Sequence, residues 1–492
     1  MIIAIDIGTT NLKAGLYDLD GSAVVSHSVP MKQEIDEYDV YYFDPQFLWK
    51  NIAEKIREIA ESHKYEITAI SIASMAESGL LINPGTGQTA TKIIPWFETS
   101  SAKQASFIED QLDRVEQFCK TGLYPSYKQG LSKLLWLKEK SPEIFTQDVV
   151  WISVSSYIAF CLTNKIAEER SLAVRTFAYD IRKQAWNREL ISYFGFQSDL
   201  FPDVQACTTS VGPVLKEWTT LGLSNETNVY IAGHDHLVAS LSIGEAASDN
   251  IYNSIGTAET LIGTFPKREL TDHDAVSGLT FGMHLLEDTY YWMGGHSFSG
   301  GSVEWMRSII SDDTLTYSEV NQLLEQINLD PTGIIFFPYL NGSGAPNPDP
   351  EATASFIGIT KKHRKRELLK GVLEGNAYQM EWIREAAEMI TNTPIKKLTA
   401  VGGGIRNKHW MQIKSTVSGI PLHLPEIKEA VSKGAVLVAA TGEGIYSSLR
   451  EAAAKCAPAN VEIIQPDKNG HNVYQSIYRY KYKMLVHALN RN

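Results

Sequence analysis

Blocks of apolar residues separated by short polar turns open the chain, and they predict an antiparallel sheet. The run Ile2-Ile3-Ala4-Ile5 has no polar position and is typical of a buried strand that ends at Asp6. The turn Gly8-Thr9-Thr10-Asn11 follows, and the run from Lys13 to Tyr17 predicts a returning strand. A third strand is predicted from Ala23 to Val29. The chain therefore starts with a hairpin whose tip is rich in glycine and threonine.

Helical and strand patterns alternate along the rest of the first half. Leucine and isoleucines at 48, 52, 56 and 59 recur at helical spacing and predict a helix from Phe47 to Ala60. A strand predicted from Ile67 to Ala73 runs into Ser74-Met75-Ala76-Glu77-Ser78. Residues 101–200 are mainly helical in pattern. A short apolar strand from Asn228 to Ala232 then delivers Gly233-His234-Asp235-His236 to a helix that starts near residue 237.

The second half mixes the same kinds of element. The predicted strands cover 251–254, 260–264, 277–284, 289–293, 334–339 and 397–401, and the predicted helices cover 302–310, 366–390, 431–441 and 475–489. Gly294 to Gly301 and Asn341 to Pro350 are predicted loops, and the strand at 397–401 ends in Gly402-Gly403-Gly404. Antiparallel strands combined with strand–helix units predict an α/β protein.

One short motif occurs twice. Ile7-Gly8-Thr9 and Ile255-Gly256-Thr257 begin about half of the 492-residue chain apart. A duplicated domain gives such a spacing, and a chain of this length exceeds one ordinary core. We therefore predict two domains, residues 1–246 and 247–492, with a boundary close to Ala246 and a cleft between them.

Composition and charge limit the class of protein. Hydrophobic residues make up 43% and charged residues 21%, as in soluble globular proteins. The net charge of −12 argues against duplex DNA or an anionic membrane as a partner. The apolar start has no basic segment before it and is interrupted by Asp6, unlike a signal peptide. The cysteines are scattered, which favours reduced thiols. We expect a cytoplasmic protein; a monomer and a homodimer both stay open.

The glycine–threonine tips suit the phosphates of a nucleotide. Glycine lets backbone N–H groups approach an oxyanion, threonine hydroxyls add donors, and a carboxylate such as Asp6 can hold Mg²⁺ through its waters. A hairpin tip alone is usually only a hairpin, but the copy at Gly256-Thr257 and the third tip at Gly402-Gly403-Gly404 favour phosphate binding. The dinucleotide fingerprint and the Walker loop are both absent from these tips. The pattern predicts an ATP-dependent enzyme of two lobes.

Asp235 is the predicted general base of such an enzyme. It stands at a strand end between the two halves, where it can orient an attacking hydroxyl. The plainer alternative is an aspartate that caps the following helix, and both roles are compatible. A metal-dependent phosphohydrolase would need further histidines at helical spacing, which the sequence does not offer.

Two more residues are candidates for substrate binding. Glu77 lies between Met75 and Leu80, where a buried lone carboxylate is costly, so we predict that it faces the cleft and binds substrate hydroxyls. Trp96 ends an extended segment and either stacks on a sugar ring or fills the core. The residues alone favour the core.

Together these motifs resemble the FGGY carbohydrate kinases. The resemblance rests on Ala4 to Ala14, Gly233-His234-Asp235, Ser254-Ile255-Gly256-Thr257, Gly402-Gly403-Gly404 with Asn407 and, in part, Lys133 to Leu137, Ala354 to Ile359 and Glu367 to Glu374. It covers essentially the whole chain in the right order. It implies a duplicated actin-like ATPase (ribonuclease H-like) fold, with ATP and a sugar in the cleft between the domains.

The resemblance also implies roles for single residues. Asp235 would be the base toward the sugar hydroxyl, and Asp6 and Asp235 would lie at Mg²⁺. The residues implied at the nucleotide are Gly8, Thr9, Thr10, Asn11, Lys13, Gly256, Thr257, Gly402, Gly403, Gly404 and Asn407. Those implied at the sugar are Met75, Glu77, Trp96, Asp235 and His236.

Departures from the family pattern leave the acceptor open. Ala76 stands where glycerol kinases have arginine and xylulose kinases have histidine, and Trp96-Phe97-Glu98-Thr99-Ser100 lacks the arginine of the usual W-x-D-x-R. Asn341-Gly342-Ser343-Gly344 replaces the G-E-R of many pentulose and gluconate kinases. The prediction is an ATP-dependent kinase of a small sugar, ketose or polyol. The alternatives are a non-metabolic actin-like ATPase, insensitive to sugars, and a degenerate kinase that senses a sugar.

Overall fold

The computed structural model of the protein describes residues 1–62, 65–244, 247–328 and 330–489. The strands of the first half are β1 (Ile2–Ile7), β2 (Asn11–Tyr17), β3 (Ala23–Pro30), β4 (Gln33–Ile35), β5 (Tyr41–Phe43), β6 (Ala69–Ser74), β7 (Gly79–Ile82), β8 (Val150–Ser153), β9 (Glu168–Glu169), β10 (Tyr179–Asp180), β11 (Ala185–Trp186), β12 (Val204–Gln205), β13 (Gly212–Pro213) and β14 (Asn228–His234). Its α-helices are α1 (Pro45–Ser62), α2 (Ala102–Gln111), α3 (Arg114–Thr121), α4 (Gly130–Lys140), α5 (Val154–Thr163), α6 (Arg170–Val174), α7 (Arg188–Tyr193) and α8 (Asp235–Leu241).

The second half continues in the same style. Its strands are β15 (Asn250–Ile255), β16 (Glu259–Pro266), β17 (Thr280–Met283), β18 (Thr289–His296), β19 (Ile335–Phe337), β20 (Ser355–Ile357), β21 (Lys397–Val401), β22 (Leu422–Pro425) and β23 (Val461–Ile464). Its α-helices are α9 (Asp272–Ala275), α10 (Gly300–Ile309), α11 (Tyr317–Glu325), α12 (Lys365–Thr391), α13 (Lys408–Ser418), α14 (Ala430–Gly442), α15 (Leu449–Lys455), α16 (Lys468–Ile477) and α17 (Lys483–Leu489). None of the helices in the described ranges has the length and apolar character needed to cross a membrane.

The two halves repeat one strand arrangement, which confirms the predicted duplication. In the first sheet, β1 is antiparallel to β2 and β2 to β3, whereas β1 is parallel to β6 and β6 to β14. In the second sheet, β15 is antiparallel to β16 and β16 to β18, whereas β15 is parallel to β21 and β21 to β22. Each half therefore has an antiparallel hairpin side and a parallel side, with the Ile-Gly-Thr motif at the turn between its first two strands.

A hydrophobic core lies on each sheet, and a further cluster joins the halves. This joining cluster contains residues of β1, α8, β15 and α14, among them Ala4, Val238, Tyr252 and Val436. Helix α14 of the second half approaches α8 closely, since a Cβ placed on Gly434 would lie 1.9 Å from the Val238 carbonyl oxygen. The glycine thus permits the contact that fixes one lobe against the other.

Most of the predicted elements are confirmed, and one loop is wrong. The residues 294–301 were expected to form a loop, but β18 continues to His296, which pairs with Glu259. Gly294 and Gly295 are in the strand because there is no room for side chains: a Cβ on Gly295 would lie 2.4 Å from the Glu259 carbonyl oxygen. The predicted boundary at Ala246 falls outside the described residues.

Candidate active site

The parallel strands of the first sheet bring the two predicted aspartates to one edge. The register places Asp6 of β1 and Gly233 of β14 opposite the same residue, Ala73 of the intervening β6. Since parallel strands end at the same edge, Asp6 and the α8 residue Asp235 both lie at the carboxyl ends of these strands. Their charges act on each other, because Asp235 is one of the causes that raise the pKa of Asp6.

Asp235 is the first residue of α8, directly after the strand. Its Oδ1 accepts a hydrogen bond from the His236 amide at 2.7 Å, and the Nε2 of His234 lies 3.3 Å from the same oxygen. Burial keeps the pKa of His234 well below its usual range, so this imidazole is neutral. Burial raises the pKa of Asp235 above its usual value, with Glu77 adding to the effect. The helix-capping interpretation is only partly right, since His234 occupies the N-cap position.

A buried serine–glutamate pair holds the loop that carries Asp235. The Ser171 hydroxyl donates to Glu169 Oε2 at 2.5 Å and accepts from the His234 amide at 3.0 Å. Gly233 has φ 114°, and a Cβ there would lie 2.6 Å from Ser171 Oγ and 2.7 Å from Glu169 Oε2. Only glycine fits between the strand end and this pair. Burial raises the pKa of Glu169 to about 8.

Asp6 lies on β1, which is separated from β14 by β6 in the sheet. Burial, reinforced by Asp235, raises its pKa to about 7, while the charge of Lys13 acts in the other direction. Lys13 is the register partner of Asp6 on β2. Its Nζ lies 2.6 Å from Glu429 Oε2, at the start of α14 in the second half. The predicted phosphate-binding lysine therefore stands where the two lobes meet.

The first hairpin tip is tight and open to solvent. The Gly8 amide donates to the Asn11 carbonyl at 3.1 Å, so Thr9 and Thr10 form a short loop that closes β1 and β2. The Met31 amide donates to the Thr10 carbonyl at 2.9 Å and fixes the tip from the β3 side. The amides and hydroxyls of this tip are thus presented at the same edge as the two aspartates.

The second tip lies against the start of a helix. The Gly300 amide donates to the Gly256 carbonyl at 3.0 Å, and the Gly301 amide donates to the Thr257 carbonyl at 3.0 Å. A Cβ on Gly300 would lie 2.3 Å from the Gly256 oxygen, so the contact requires glycine. Gly256 and Thr257 are themselves exposed. The first amides of α10 therefore bond to the carbonyls of the tip and hold an exposed turn in place.

The triple glycine is packed against the second tip through two of its members. A Cβ on Gly402, whose φ is 99°, would lie 2.5 Å from the Ile255 carbonyl oxygen, and one on Gly404 would lie 2.4 Å from Ile255 Cγ2. A Cβ on Gly403 would meet nothing within 4 Å. Asn407 caps α13, where its side chain accepts from the Trp410 amide at 3.0 Å. The loop is pressed to the tip on one side and open on the other.

One buried carboxylate connects these segments of the second lobe. Glu259 directly follows the second tip and is fully buried; it accepts from the N-cap residue of α10, Ser299 Oγ, at 2.6 Å. Lys414 of α13 approaches its two oxygens at 2.6 and 2.8 Å. The Lys414 ammonium therefore stabilises the ionised carboxylate, and the pKa of Glu259 stays well below its usual value despite burial. The tip, α10 and α13 all converge on Glu259.

Glu77, which the sequence predicts at the sugar, is buried but not alone. Its Oε1 lies 2.5 Å from the Arg175 guanidinium, and both side chains are about nine-tenths buried. Its backbone has φ 61°, and the Lys133 ammonium donates to its carbonyl. Met75 stands just before it, with its amide bonded to the Ile7 carbonyl at 2.9 Å. The pairing with Arg175 removes the cost that made a lone buried carboxylate implausible.

Trp96 borders the same region. Its amide donates to Ser78 Oγ at 2.9 Å, and its ring is only partly buried. The Nζ of Lys128 lies 5.2 Å from the Trp96 ring centroid. The tryptophan therefore both packs on the core of the first lobe and carries a cation on its open face.

Sequence reasoning missed several residues of this arrangement. Arg175 and Glu259 have a signal in retrospect, because each is a single charge in an apolar stretch and so needs a buried partner. Lys414, Lys128 and Glu429 have none, since their partners come from elements distant in the chain.

Matches to protein families agree with this geometry. The model of the FGGY family of carbohydrate kinases, N-terminal domain, matches residues 1–242, and that of its C-terminal domain matches residues 251–443. This chain belongs to the FGGY family of carbohydrate kinases. It is an ATP-dependent phosphotransferase with a hydroxyl of a sugar or polyol as acceptor, in the actin-like ATPase fold.

Individual FGGY proteins are similar over their whole length. A xylulose kinase of Staphylococcus epidermidis is 26% identical, over 97% of this chain and 95% of the relative. A gluconokinase of Bacillus subtilis is 26% identical, over 91% of this chain and 87% of the relative. The structure of a ligand-bound xylulose kinase from Lactobacillus acidophilus matches with a TM-score of 0.92 and 23% identity, over 100% of this chain and 98% of the other. The relatives thus differ in acceptor while they share the fold.

Replacing Glu259 tests whether the second lobe depends on that carboxylate. Glu259→Gln keeps the shape but leaves the Lys414 ammonium buried without a counter-charge, which we expect to lower the free energy of unfolding by about 3–5 kcal/mol. Because the tip, α10 and α13 lose their common partner, ADP affinity measured by calorimetry below the melting temperature should fall about tenfold. The double variant Glu259→Gln/Lys414→Met is the control and should recover most of the stability. Unchanged ADP affinity in a folded Glu259→Gln protein would contradict this role.

The buried Lys133 predicts a pH-dependent stability difference. Burial lowers its pKa to about 7 in the folded protein, against about 10.4 in an unfolded chain. The unfolded state therefore binds more protons between these values, and the wild-type protein loses stability as the pH falls from about 10 to about 7. Lys133→Met does not have this loss. As the pH falls from about 10 to about 7, its free energy of unfolding should therefore rise relative to that of the wild type by up to about 4 kcal/mol, and the difference should level off at lower pH.

Urea unfolding at several pH values measures the effect. The exposed lysine Lys183, replaced in Lys183→Met, is the control and should give a flat difference. A stability difference that does not change with pH for Lys133→Met as well would show that burial does not lower the pKa of the Lys133 amine.

Proposed function

We propose that this kinase transfers the γ-phosphoryl group of ATP to a hydroxyl of a small open-chain or furanose sugar, ketose or polyol, with Asp235 as the general base. The observation that carries the proposal is the position of Asp235 at the carboxyl end of β14, on the sheet edge where β6 leads to Glu77 and β1 ends near Asp6. The charge of Asp235 raises the pKa of Asp6, and the charge of Glu77 raises that of Asp235. Phosphate chemistry and sugar recognition would thus meet at one carboxylate.

The proposed step needs little covalent chemistry from the protein. A substrate oxygen forms a bond to the γ-phosphorus while the bond from that phosphorus to the β,γ-bridging oxygen breaks, and ADP leaves. Asp235 takes the proton of the attacking hydroxyl. Burial raises its pKa, so it is a better proton acceptor than an exposed aspartate. The neutral His234 beside it leaves the negative charge of the carboxylate available for this purpose.

The nucleotide would be held from both lobes. Gly8, Thr9, Thr10 and Asn11 offer backbone and hydroxyl donors from the first tip, and Gly256 and Thr257 do so from the second, with Lys13 near the terminal phosphates. Gly402, Gly403, Gly404 and Asn407 would line the rest of the nucleotide. The open space in front of Gly403 supports this placement, because a loop pressed tightly on one side leaves its other side to a ligand.

Asp6 and Asp235 are suited to Mg²⁺. Both carboxylates are partly buried, and the charge of Asp235 raises the pKa of Asp6, so a divalent cation between them would relieve their repulsion. In the described part of the chain, no three or more His, Cys, Asp or Glu side chains form a metal-binding group. Mg²⁺ usually completes its shell with waters and substrate phosphates, which fits so small a protein contribution. When bound, it would neutralise charge on the phosphates.

The acceptor would lie on the Glu77 side. Met75, Glu77, Trp96 and His236 are proposed to contact it, with Glu77 accepting hydrogen bonds from hydroxyls and Trp96 offering a ring face. The activities for which the relatives are named, on xylulose, gluconate and glycerol, support an acceptor of this size. Closure of the lobes would exclude water, which otherwise competes as acceptor.

Removal of the proposed base is the direct test. Asp235→Ala should abolish acceptor-dependent ADP release, a loss of about 100-fold or more, while ATP still binds. The measurement is ADP release by the purified protein over C3 to C7 sugars, polyols and aldonates, with ATP binding by calorimetry. Asp199→Asn, at an exposed turn, is the control. Full activity of Asp235→Ala would remove it from the base role, and wild-type ATP turnover that ignores every acceptor would favour a non-metabolic ATPase.

We expect Asp6 to contribute by binding Mg²⁺ rather than by accepting the proton of the substrate hydroxyl. Asp6→Ala removes one of the two carboxylates at the strand edge, so the Mg²⁺ concentration for half-maximal activity should rise about tenfold or more. A titration of activity against Mg²⁺ at fixed ATP measures it. An unchanged Mg²⁺ dependence would count against a metal role for Asp6.

A further inference from the structure

We propose that the acceptor of this kinase is a sugar acid, whose carboxylate binds the Lys128 ammonium at the Trp96 face. The proposal rests on the proposed function and names the class of its substrate. It is carried by the position of Lys128 beside Trp96 and by the absence of an ion-pair partner for it among the residues that the structure describes.

Lys128 projects onto an aromatic wall at the sugar side. Its Nζ lies 5.2 Å from the Trp96 ring centroid and 5.9 Å from that of Tyr127. The side chain is partly buried and precedes α4, the helix that also carries Lys133. Aromatic faces attract a cation but leave its remaining donors unused. The donors of the ammonium that the rings do not use would be available to a ligand bound beside Trp96.

The nearby carboxylates are already engaged. Among the residues that the structure describes, no Asp or Glu oxygen lies within 4.0 Å of Lys128 Nζ. Glu77 binds Arg175 at 2.5 Å, and Glu98 accepts from the Tyr41 amide at 2.6 Å and from both the amide and hydroxyl of Ser100 at 2.7 and 2.6 Å. In the described ranges, the carboxylates near Lys128 are therefore held by other donors and do not pair with it.

Glu77 and Lys128 lie in a cluster of charged side chains. Arg175 forms the ion pair with Glu77, and Lys133 donates to the Glu77 carbonyl. Burial lowers the pKa of Lys128, while the charge of Glu77 acts in the other direction and that of Arg175 lowers it further. A partly desolvated cation without an ion-pair partner is unfavourable, and an anionic ligand would reduce that cost. A negative group of the substrate would therefore give Lys128 the partner it lacks among the described residues.

The arrangement also orients the substrate. Glu77 and Asp235 follow the neighbouring parallel strands β6 and β14, whose register pairs Ser74 with His234, so the two carboxylates belong to the same edge of the sheet. A carboxylate held at Lys128 would place the attacking hydroxyl at the other end of the carbon chain, toward Asp235. A single ammonium between ring faces suits a planar monoanion. A phosphate dianion typically recruits a guanidinium fork, and Arg175 is already bound to Glu77.

Matched acceptors test the proposal on the purified enzyme. ADP release is measured with C4 to C7 aldonates, with the alditol and the ketose of the same carbon number, and with the corresponding sugar monophosphates. We expect kcat/KM for the best aldonate to exceed that of its alditol and ketose by about 10- to 100-fold. A wild-type preference for a neutral sugar or a sugar phosphate would overturn the proposal.

Variants at Lys128 separate binding from folding. Lys128→Met should raise KM for the aldonate about 10- to 100-fold with little change in kcat, and leave KM for the matched alditol unaltered. Lys128→Arg should restore most of the affinity. Lys140→Met is the control, because Lys140 also lies over an aromatic ring, that of Tyr38, at 4.6 Å. Equal losses for acid and alditol, or a loss in kcat alone, would overturn the role of Lys128.

The same measurements distinguish a failure of the sugar-acid proposal from a failure of the proposed function. If an acceptor is found and it is neutral, the kinase activity stands and the sugar-acid proposal falls. If none of the acceptors stimulates ADP release, the proposed function itself falls and this proposal with it.

Discussion

The site depends on the parallel alignment of β1, β6 and β14, because that alignment brings Asp6 and Asp235 to one edge. Two carboxylates in a poorly solvated place repel each other, and the structure keeps both by fixing their backbones rather than by pairing them with a cation of their own. The Ser171–Glu169 pair fixes one, and the hairpin of β1 and β2 fixes the other. In the function that we propose, these two carboxylates serve a metal ion and a substrate proton.

Each lobe contains a buried glutamate that is paired with a cation and holds neighbouring segments together. In the second lobe, Glu259 joins the hairpin tip, α10 and α13 with Lys414 as its counter-ion. In the first lobe, Glu77 is held at its carboxylate by Arg175 and at its carbonyl by Lys133. Breaking a buried pair is costly, so such pairs give a flexible two-lobed molecule locally rigid surfaces toward its ligands.

Local patterns in the sequence were sufficient for much of this architecture. The hairpins at Gly8 and Gly256, the strand that ends in the triple glycine, and helix α1 could all be predicted, because each depends on residues close together in the chain. The repeated triplet was enough to predict the duplication that the strand orders confirm. Pairs such as Glu77 with Arg175, or Glu259 with Lys414, could not be predicted, because they depend on which distant segments the fold brings together. The glycines of β18 were misleading since close packing and loops both use glycine.

The left-handed backbone of Glu77 affects which residues around it can be replaced. An L-residue in that conformation is less stable by about 1–2 kcal/mol, and the bond from Lys133 to its carbonyl offsets the strain. Replacing Lys133 would therefore leave the carbonyl of this strained residue without its donor, whereas replacing Glu77 would leave the Arg175 guanidinium without its carboxylate. Lys128 forms no ion pair among the described residues and contacts aromatic rings instead, so a change at position 128 could alter the pocket without breaking a buried ion pair.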